Sequence, residues 1–101
     1  MADLQGLDII MLDIHDLSLL ADYFVICTAR VERQARAIQE EITQRLKAQE
    51  IRPLGVEGTA AGGWIILDYG RVIVHIFAPA MREYYQLEKL WSEAPVVMRM
   101  P

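Results

Sequence analysis

Several features that would point to particular classes of protein are missing from this 101-residue sequence. No apolar run approaches the roughly 20 residues that span a bilayer, and the first residues lack the basic start and long apolar stretch of a signal peptide. Basic side chains are few, 10 against 14 acidic ones, which argues against broad contact with a phosphate backbone. These absences predict a cytoplasmic protein that binds no membrane and makes no sequence-specific contact with nucleic acid.

Cysteine and histidine are also scarce, which limits metal and nucleophile chemistry. Cys27 is the single cysteine and lies in an apolar run, where a buried, inert thiol is the expected state. His15 and His75 have no second His or Cys at metal-ligand spacing, so no zinc site is predicted. The Gly-rich segment 58–63 lacks the Lys-Ser/Thr of a P-loop and reads as a connection. We therefore expect neither a metal nor a cofactor.

Apolar residues, in contrast, make up 53% of the chain, enough for one core in a single domain over residues 1–101. Residues 7–14 and 22–28 are apolar runs that predict two strands, covered on at least one face. From Val31 to about Gln49 the period becomes helical. The helix should bury one stripe: Val31, Ala35, Ile38, Ile42 and Leu46.

The second half of the chain predicts further strands and a last helix. Leu54–Glu57 is a candidate edge strand, and residues 64–77 form a candidate hairpin. Pro79 suits the first turn of a final helix that runs toward Trp91. Segment 95–101 has no clear assignment. The order predicts an α/β domain, with a mixed sheet of four or five strands and its helices packed mainly on one face.

The hairpin has two unlike faces. With Tyr69 and Gly70 as a two-residue turn, Trp64 would pair with His75 and Asp68 with Arg71. One face is aliphatic and suits burial against the main helix: Ile65, Leu67, Val72, Val74 and Ile76. The other mixes aromatic, aliphatic and polar residues: Trp64, Ile66, Asp68, Arg71, Ile73, His75 and Phe77. Core packing and partner binding explain this second face equally well from the residues alone.

Several blocks of the sequence, taken in order over residues 4–94, resemble the ribosomal silencing factor family, RsfS or Iojap. They are Leu-Asp-Ile-Ile-Met-Leu-Asp-Ile (7–14), Ala-Asp-Tyr-Phe-Val-Ile-Cys-Thr (21–28), Arg-Gln-Ala-Arg-Ala-Ile (33–38), Gly-Val-Glu-Gly (55–58), Trp64 to Phe77, and Arg82 to Trp91. One departure is Val31, where the family usually has a small polar residue that caps the main helix.

The resemblance implies a fold related to the nucleotidyltransferases, without catalysis. It also implies a partner, the fourteenth protein of the large ribosomal subunit, and a mechanism in which the bound factor blocks the small subunit and represses translation. The hairpin and last helix would make the contact, through Trp64, Asp68, Tyr69, Arg71, Ile73, His75, Phe77 and Tyr85. An exposed apolar face of this kind also predicts a homodimer in the free protein.

A nucleotidyltransferase-like enzyme is the alternative. Such enzymes hold phosphates with a Gly-Ser pair and two metal ions with closely spaced carboxylates. The sequence has no Gly-Ser dipeptide, and its nearest carboxylates, Asp13 and Asp16, are spaced so that they would not share a strand face. The residues therefore favour a binding protein over an enzyme.

Overall fold

The computed structural model of the protein describes residues 7–101. The elements are β1 (Leu7–Asp13), β2 (Tyr23–Thr28), α1 (Glu32–Lys47), β3 (Gly55–Thr59), β4 (Trp64–Asp68), β5 (Val72–Phe77), α2 (Pro79–Tyr85), α3 (Leu87–Leu90) and β6 (Val96–Met100). Within this part of the chain, no helix is long and apolar enough to cross a membrane. The prediction that the first residues form no signal peptide falls mainly on residues 1–6, which lie outside the described residues.

Residues 7–101 contribute six strands to one mixed sheet, in the order β3-β4-β5-β2-β1-β6. Only the central pair, β2 and β5, is parallel, and the other four pairs are antiparallel. The predicted α/β class and mixed sheet are therefore confirmed. The sheet has one strand more than the upper prediction because segment 95–101 supplies β6. All five residues of β6 are exposed, so no alternation of buried and exposed positions marks that strand in the sequence.

Helices lie on both faces of the sheet. On one face, Ile38 of α1 packs with the aliphatic side of the hairpin, in a buried cluster that includes Ile65, Leu67, Val74 and Ile76. On the other face, Leu87 of α3 joins a second cluster that includes Phe77 and Ile26. The prediction that the helices pack mainly on one face is corrected here. The reason is that the Trp64 side of the hairpin is apolar and forms a second core with α2, α3 and the residues after them.

The hairpin register differs from the prediction by two residues. Trp64 pairs with Phe77, and Asp68 pairs with Ile73, because the turn is centred on Gly70 and Arg71. Gly70 takes a φ of +86°, which glycine tolerates and tyrosine would not. A shift of two residues keeps every side chain on its predicted face, so the division of the hairpin into two faces is confirmed.

The helices also differ in detail from the prediction. α1 begins after Val31, which is exposed and makes no side-chain capping bond. Instead, the side-chain Oε1 of Gln34 accepts a hydrogen bond of 2.6 Å from the backbone N–H of Arg30, so a residue inside the helix takes up a backbone donor at its entrance. The single last helix that the sequence predicts is two helices, because Gln86 breaks it with a φ of +48°.

Candidate protein-binding face

Trp64 opens β4 on the side of the sheet opposite α1. Its ring centroid lies 4.5 Å from that of Tyr85 on α2 and 4.8 Å from that of Phe77 on β5. Its indole Nε1–H donates a hydrogen bond of 3.1 Å to Nδ1 of His75. The side chain is half-buried, so one part is packed against the domain while another part reaches solvent. A large aromatic held in this way is the usual anchor of a protein interface.

His75 and Phe77, both predicted to contact the partner, lie underneath Trp64. Phe77 has no exposed surface and His75 keeps only 5%. Burial lowers the pKa of His75 to about 4, from an ordinary value of 6.5, so the ring is neutral near pH 7. These two residues support Trp64 from the core and leave almost no surface for a partner.

A patch of partly exposed apolar side chains lies on the same face of the sheet as Trp64. Ile66 and Ile73 lie on the same side of the hairpin, and Phe24 of β2 pairs with Ile73 across the parallel pair. The ring of Trp91 packs edge-on against Phe24, with centroids 5.3 Å apart. We call this patch the aromatic face, and it consists of Trp64, Ile66, Ile73, Phe24, Trp91 and Tyr85.

Phe24 and Trp91 were not among the predicted site residues. Phe24 reaches the aromatic face only because β2 lies beside β5, a parallel pairing between segments far apart in the sequence. Trp91 follows α3 and has helical spacing from Tyr84 and Leu87, which is typical of a core stripe. Leu87 is indeed buried, whereas Tyr84 is 78% exposed. No signal in the sequence joins these two aromatics to Trp64.

Arg82 fixes α2 and α3 against the sheet. Its Nη1 donates to the carbonyl oxygen of Asp8 at 2.6 Å and to Oγ1 of Thr28 at 2.8 Å. Its Nε and Nη2 donate to Oε2 of Glu88 at 3.2 and 3.1 Å. One guanidinium thus joins α2 to β1, β2 and α3. This network holds in place the helix that carries Tyr85.

Acidic side chains border the aromatic face. Glu57 of β3 pairs with Ile66, and Asp68 pairs with Ile73, and directly opposed residues in a sheet project from the same face. Glu57 is exposed and Asp68 half-buried. This edge of the face therefore favours a partner with positive charge, in keeping with the formal net charge of −4.

The other predicted contact residues lie at the opposite end of the hairpin. Tyr69 packs against the core cluster on the α1 side. Its hydroxyl oxygen is buried and has no hydrogen-bond partner among residues 7–101. Arg71 is 89% exposed at the turn, with its Nη1 3.8 Å from Oδ2 of Asp22. The predicted site is thus divided, with Trp64 and Tyr85 at one end and Tyr69 and Arg71 at the other.

The carboxylates of the enzyme alternative are separated by an imidazole. Nδ1 of His15 bonds Oδ1 of Asp13, and Nε2 of His15 lies 3.1 Å from Oδ1 of Asp16. The hydrogen bond that the Asp13 carboxylate accepts from the His15 side chain lowers the pKa of Asp13 and raises the pKa of His15. Among the described residues, no group of three or more His, Cys, Asp or Glu side chains could hold a metal ion.

A family model described as "Ribosomal silencing factor during starvation", RsfS, matches residues 1–100. This chain belongs to the RsfS family. An RsfS of Bacillus subtilis is 40% identical over 94 residues, which cover 93% of this chain and 80% of the relative. A crystal structure of a Chromobacterium violaceum protein is 36% identical with a TM-score of 0.86, and covers 90% of this chain and 76% of that one. The maize relative named "Protein Iojap, chloroplastic" is 29% identical over 93 residues, which cover 92% of this chain and 40% of the relative.

RsfS membership confirms the family that the sequence blocks indicate, and it supports a ribosome-associated silencing role in translation. The relation to the nucleotidyltransferase fold stays a prediction. The aromatic face of this chain includes two half-buried tryptophans, Trp64 and Trp91, and the exposed Tyr85.

Proposed function

We propose that this protein binds the large ribosomal subunit through its fourteenth protein and sterically blocks association with the small subunit. Translation is thereby repressed in the cytoplasm when nutrients are short. The observation that carries the proposal is the aromatic face, in which Trp64 and Tyr85 are packed against each other and still partly exposed. Family membership supplies the ribosomal context for that surface.

The chemistry of the face favours protein over RNA as the direct partner. Its side chains are all aromatic or aliphatic, and Glu57 and Asp68 at its border are acidic. RNA backbones are recognised through clusters of Lys and Arg. Arg82, the basic residue of α2, is engaged in the network that joins the helices to the sheet. A basic, partly apolar surface of a ribosomal protein fits this face best.

The contacts are proposed to differ in kind along the hairpin. The residues that would touch the partner directly are Trp64, Ile73 and Tyr85. The buried His75 and Phe77 would contribute by supporting Trp64 from the core. Asp68 would contribute charge at the border of the face. Tyr69 and Arg71, at the far end, would contribute only if the partner extends along the whole hairpin.

The free protein would hide the same apolar face in a homodimer. All four of its aromatic side chains are only partly covered by the domain, and solvent-exposed apolar patches of this kind tend to self-associate. The dimer and the ribosomal complex would then compete. Addition of the ribosomal protein to a concentrated sample should convert the homodimer to a one-to-one heterodimer, which analytical ultracentrifugation would measure.

We propose that silencing involves no catalysis, in agreement with a family named for a regulatory role. With Mg²⁺ and each nucleoside triphosphate, the purified protein should show no transfer or hydrolysis above a denatured control. Turnover that disappears in an Asp13→Ala, Asp16→Ala double variant would support the enzyme instead.

Co-sedimentation with isolated 50S particles is the direct test. The protein should pellet with 50S and should reduce the amount of 70S formed when 30S is added. Binding should survive moderate salt. A contact with protein neutralises few RNA phosphates and so releases few counterions, and affinity then depends little on salt concentration. Binding that moderate salt abolishes, together with no affinity for the isolated ribosomal protein, would place the contact on rRNA.

Trp64→Ala should weaken binding to the isolated ribosomal protein by about 2 kcal/mol or more, the usual effect of a buried interface aromatic. Ile38→Ala is the control on the α1 side of the sheet. Ile38 is fully buried, so this variant should lose about 2–5 kcal/mol of stability and keep its affinity while folded. Unchanged affinity in Trp64→Ala would assign that side chain to the core.

Tyr85→Ala and Tyr69→Ala form a matched pair that separates the two ends of the hairpin. Tyr85 lies on the aromatic face, whereas Tyr69 packs on the α1 side. We expect Tyr85→Ala to weaken binding more than Tyr69→Ala does, as isothermal titration calorimetry would show. The reverse order would move the contact to the turn.

A further inference from the structure

We infer that His75 is a positioning residue for the partner-binding face, whose Nδ1 holds the indole of Trp64 in a single orientation. The inference rests on the proposed function, because it assigns a means by which the aromatic face is kept in shape. It concerns a residue that is almost fully buried, 5% exposed, and therefore acts through Trp64 without touching a partner.

The hydrogen bond determines the protonation state of the imidazole. An indole N–H can only donate, so Nδ1 of His75, 3.1 Å from Nε1 of Trp64, must be the acceptor. The ring is therefore neutral and carries its proton on Nε2. That atom is buried and has no partner among residues 7–101. The imidazole thus leaves its second polar group unpaired in the core while it accepts the indole N–H.

Aromatic packing gives the acceptor a fixed position. The rings of Phe24 and His75 form a T-shaped pair, with a centroid distance of 4.8 Å and an interplanar angle of 75°. The ring of Phe77 lies parallel to it within 10°, at 6.0 Å. Because these neighbours restrict the imidazole, Nδ1 specifies where the indole N–H must lie.

Trp64 needs such a restraint because it sits at the boundary between core and solvent. Its ring is tilted by 47° against Tyr85 and by 30° against Phe77, and neither ring offers a strong acceptor to the indole. Without Nδ1, the N–H would face apolar surroundings unpaired, which is unfavourable for a buried donor. The indole would then gain by turning its N–H toward water, and the aromatic face would lose its shape.

Two isosteric variants test the assignment. In His75→Asn the side-chain oxygen can take the place of Nδ1 as acceptor. The leucine of His75→Leu has nearly the same shape as asparagine but no acceptor. If His75 only filled space, the apolar leucine would serve at least as well as asparagine. The Trp64 indole ¹H–¹⁵N resonance, assigned with a Trp91→Phe variant, reports the bond without any partner.

In the parent and in His75→Asn, we expect that resonance to show a hydrogen-bonded N–H protected from exchange with solvent. In His75→Leu it should move upfield and exchange faster. Long-range ¹H–¹⁵N spectra of the parent should show a proton on Nε2 of His75 and none on Nδ1. An unchanged Trp64 resonance in His75→Leu, or a proton on Nδ1, would overturn the inference.

Binding to the isolated ribosomal protein gives the second readout. His75→Leu should bind about tenfold more weakly than His75→Asn, the effect of one net hydrogen bond. In a Trp64→Phe background, which lacks the indole donor, the two variants should bind alike. Equal binding by both variants in the parent background would refute the positioning role. If the parent itself does not bind, the proposed function fails, and the Trp64 resonance still decides the role of His75.

Discussion

Acidification below about pH 6.5 should destabilise this protein through His75. The pKa of the buried imidazole is about 4, against an ordinary value of 6.5. Between pH 6.5 and about pH 4, the imidazole binds a proton in the unfolded chain but stays neutral in the folded chain. The stability associated with the neutral ring is therefore fully present above about pH 6.5 and decreases as the pH falls toward 4.

The size of the effect follows from the two pKa values. The interval from 6.5 to about 4 corresponds to about 3 kcal/mol, most of which is lost by pH 4. At pH 5 the loss should be about 2 kcal/mol, which is a large share of the 5–15 kcal/mol typical of a domain. In urea denaturation, a loss of that size moves the midpoint by about 1 M.

Comparison of the parent with His75→Leu isolates this contribution. The exposed His15 acts in the opposite direction, because the Asp13 carboxylate raises its pKa, so its stabilisation is present at low pH and lost as the pH rises through the raised value. That contribution is common to both proteins and cancels, and a His15→Gln variant checks the cancellation. The stability of His75→Leu relative to that of the parent should rise by about 2 kcal/mol between pH 7.5 and pH 5. A difference in stability that does not change with pH would refute the reasoning.

Three further perturbations test the fold. Arg82→Met should lose about 2–3 kcal/mol of stability in urea, because it removes a guanidinium that bonds three elements and leaves the Glu88 carboxylate without its partner; a loss under 1 kcal/mol would contradict this. Gly58→Ala should lower the melting temperature, because Gly58 has a φ of +79° and an added Cβ would lie 2.0 Å from a backbone oxygen of β4. In Gly55→Ala the added Cβ would meet no atom within 4 Å, so the melting temperature should not fall. Burial raises the pKa of the Cys27 thiol to about 11, so a thiol reagent at pH 8 should label it only after unfolding.

The fold class could be predicted because local patterns carry it. The helical period from Ala35 to Leu46 and the two-residue alternation of the hairpin are properties of neighbouring residues. A register error of two residues left the faces correct, since strand side chains alternate with a period of two. The turn itself was misplaced by one residue, although Gly70 was the residue able to take a positive φ.

What the sequence by itself determined is thus the set of elements up to the last helix, the two faces of the hairpin, the charge of the chain and the family it belongs to. These depend on interactions within a few residues, or on blocks of sequence that can be compared directly. The predicted contact residues came from the same local information, and so they included six of the seven members of the second hairpin face, all but Ile66, without regard to depth.

Only the tertiary structure decided which members of that face are surface. The docking of α2 and α3 buries His75 and Phe77 and leaves Trp64 partly exposed. The parallel pairing of β2 with β5 brings Phe24 to the aromatic face. Both arrangements join segments that are far apart in the chain, and the free energy that selects them comes from apolar area removed from water by the whole domain. Such non-local burial has no signature in any short stretch of sequence.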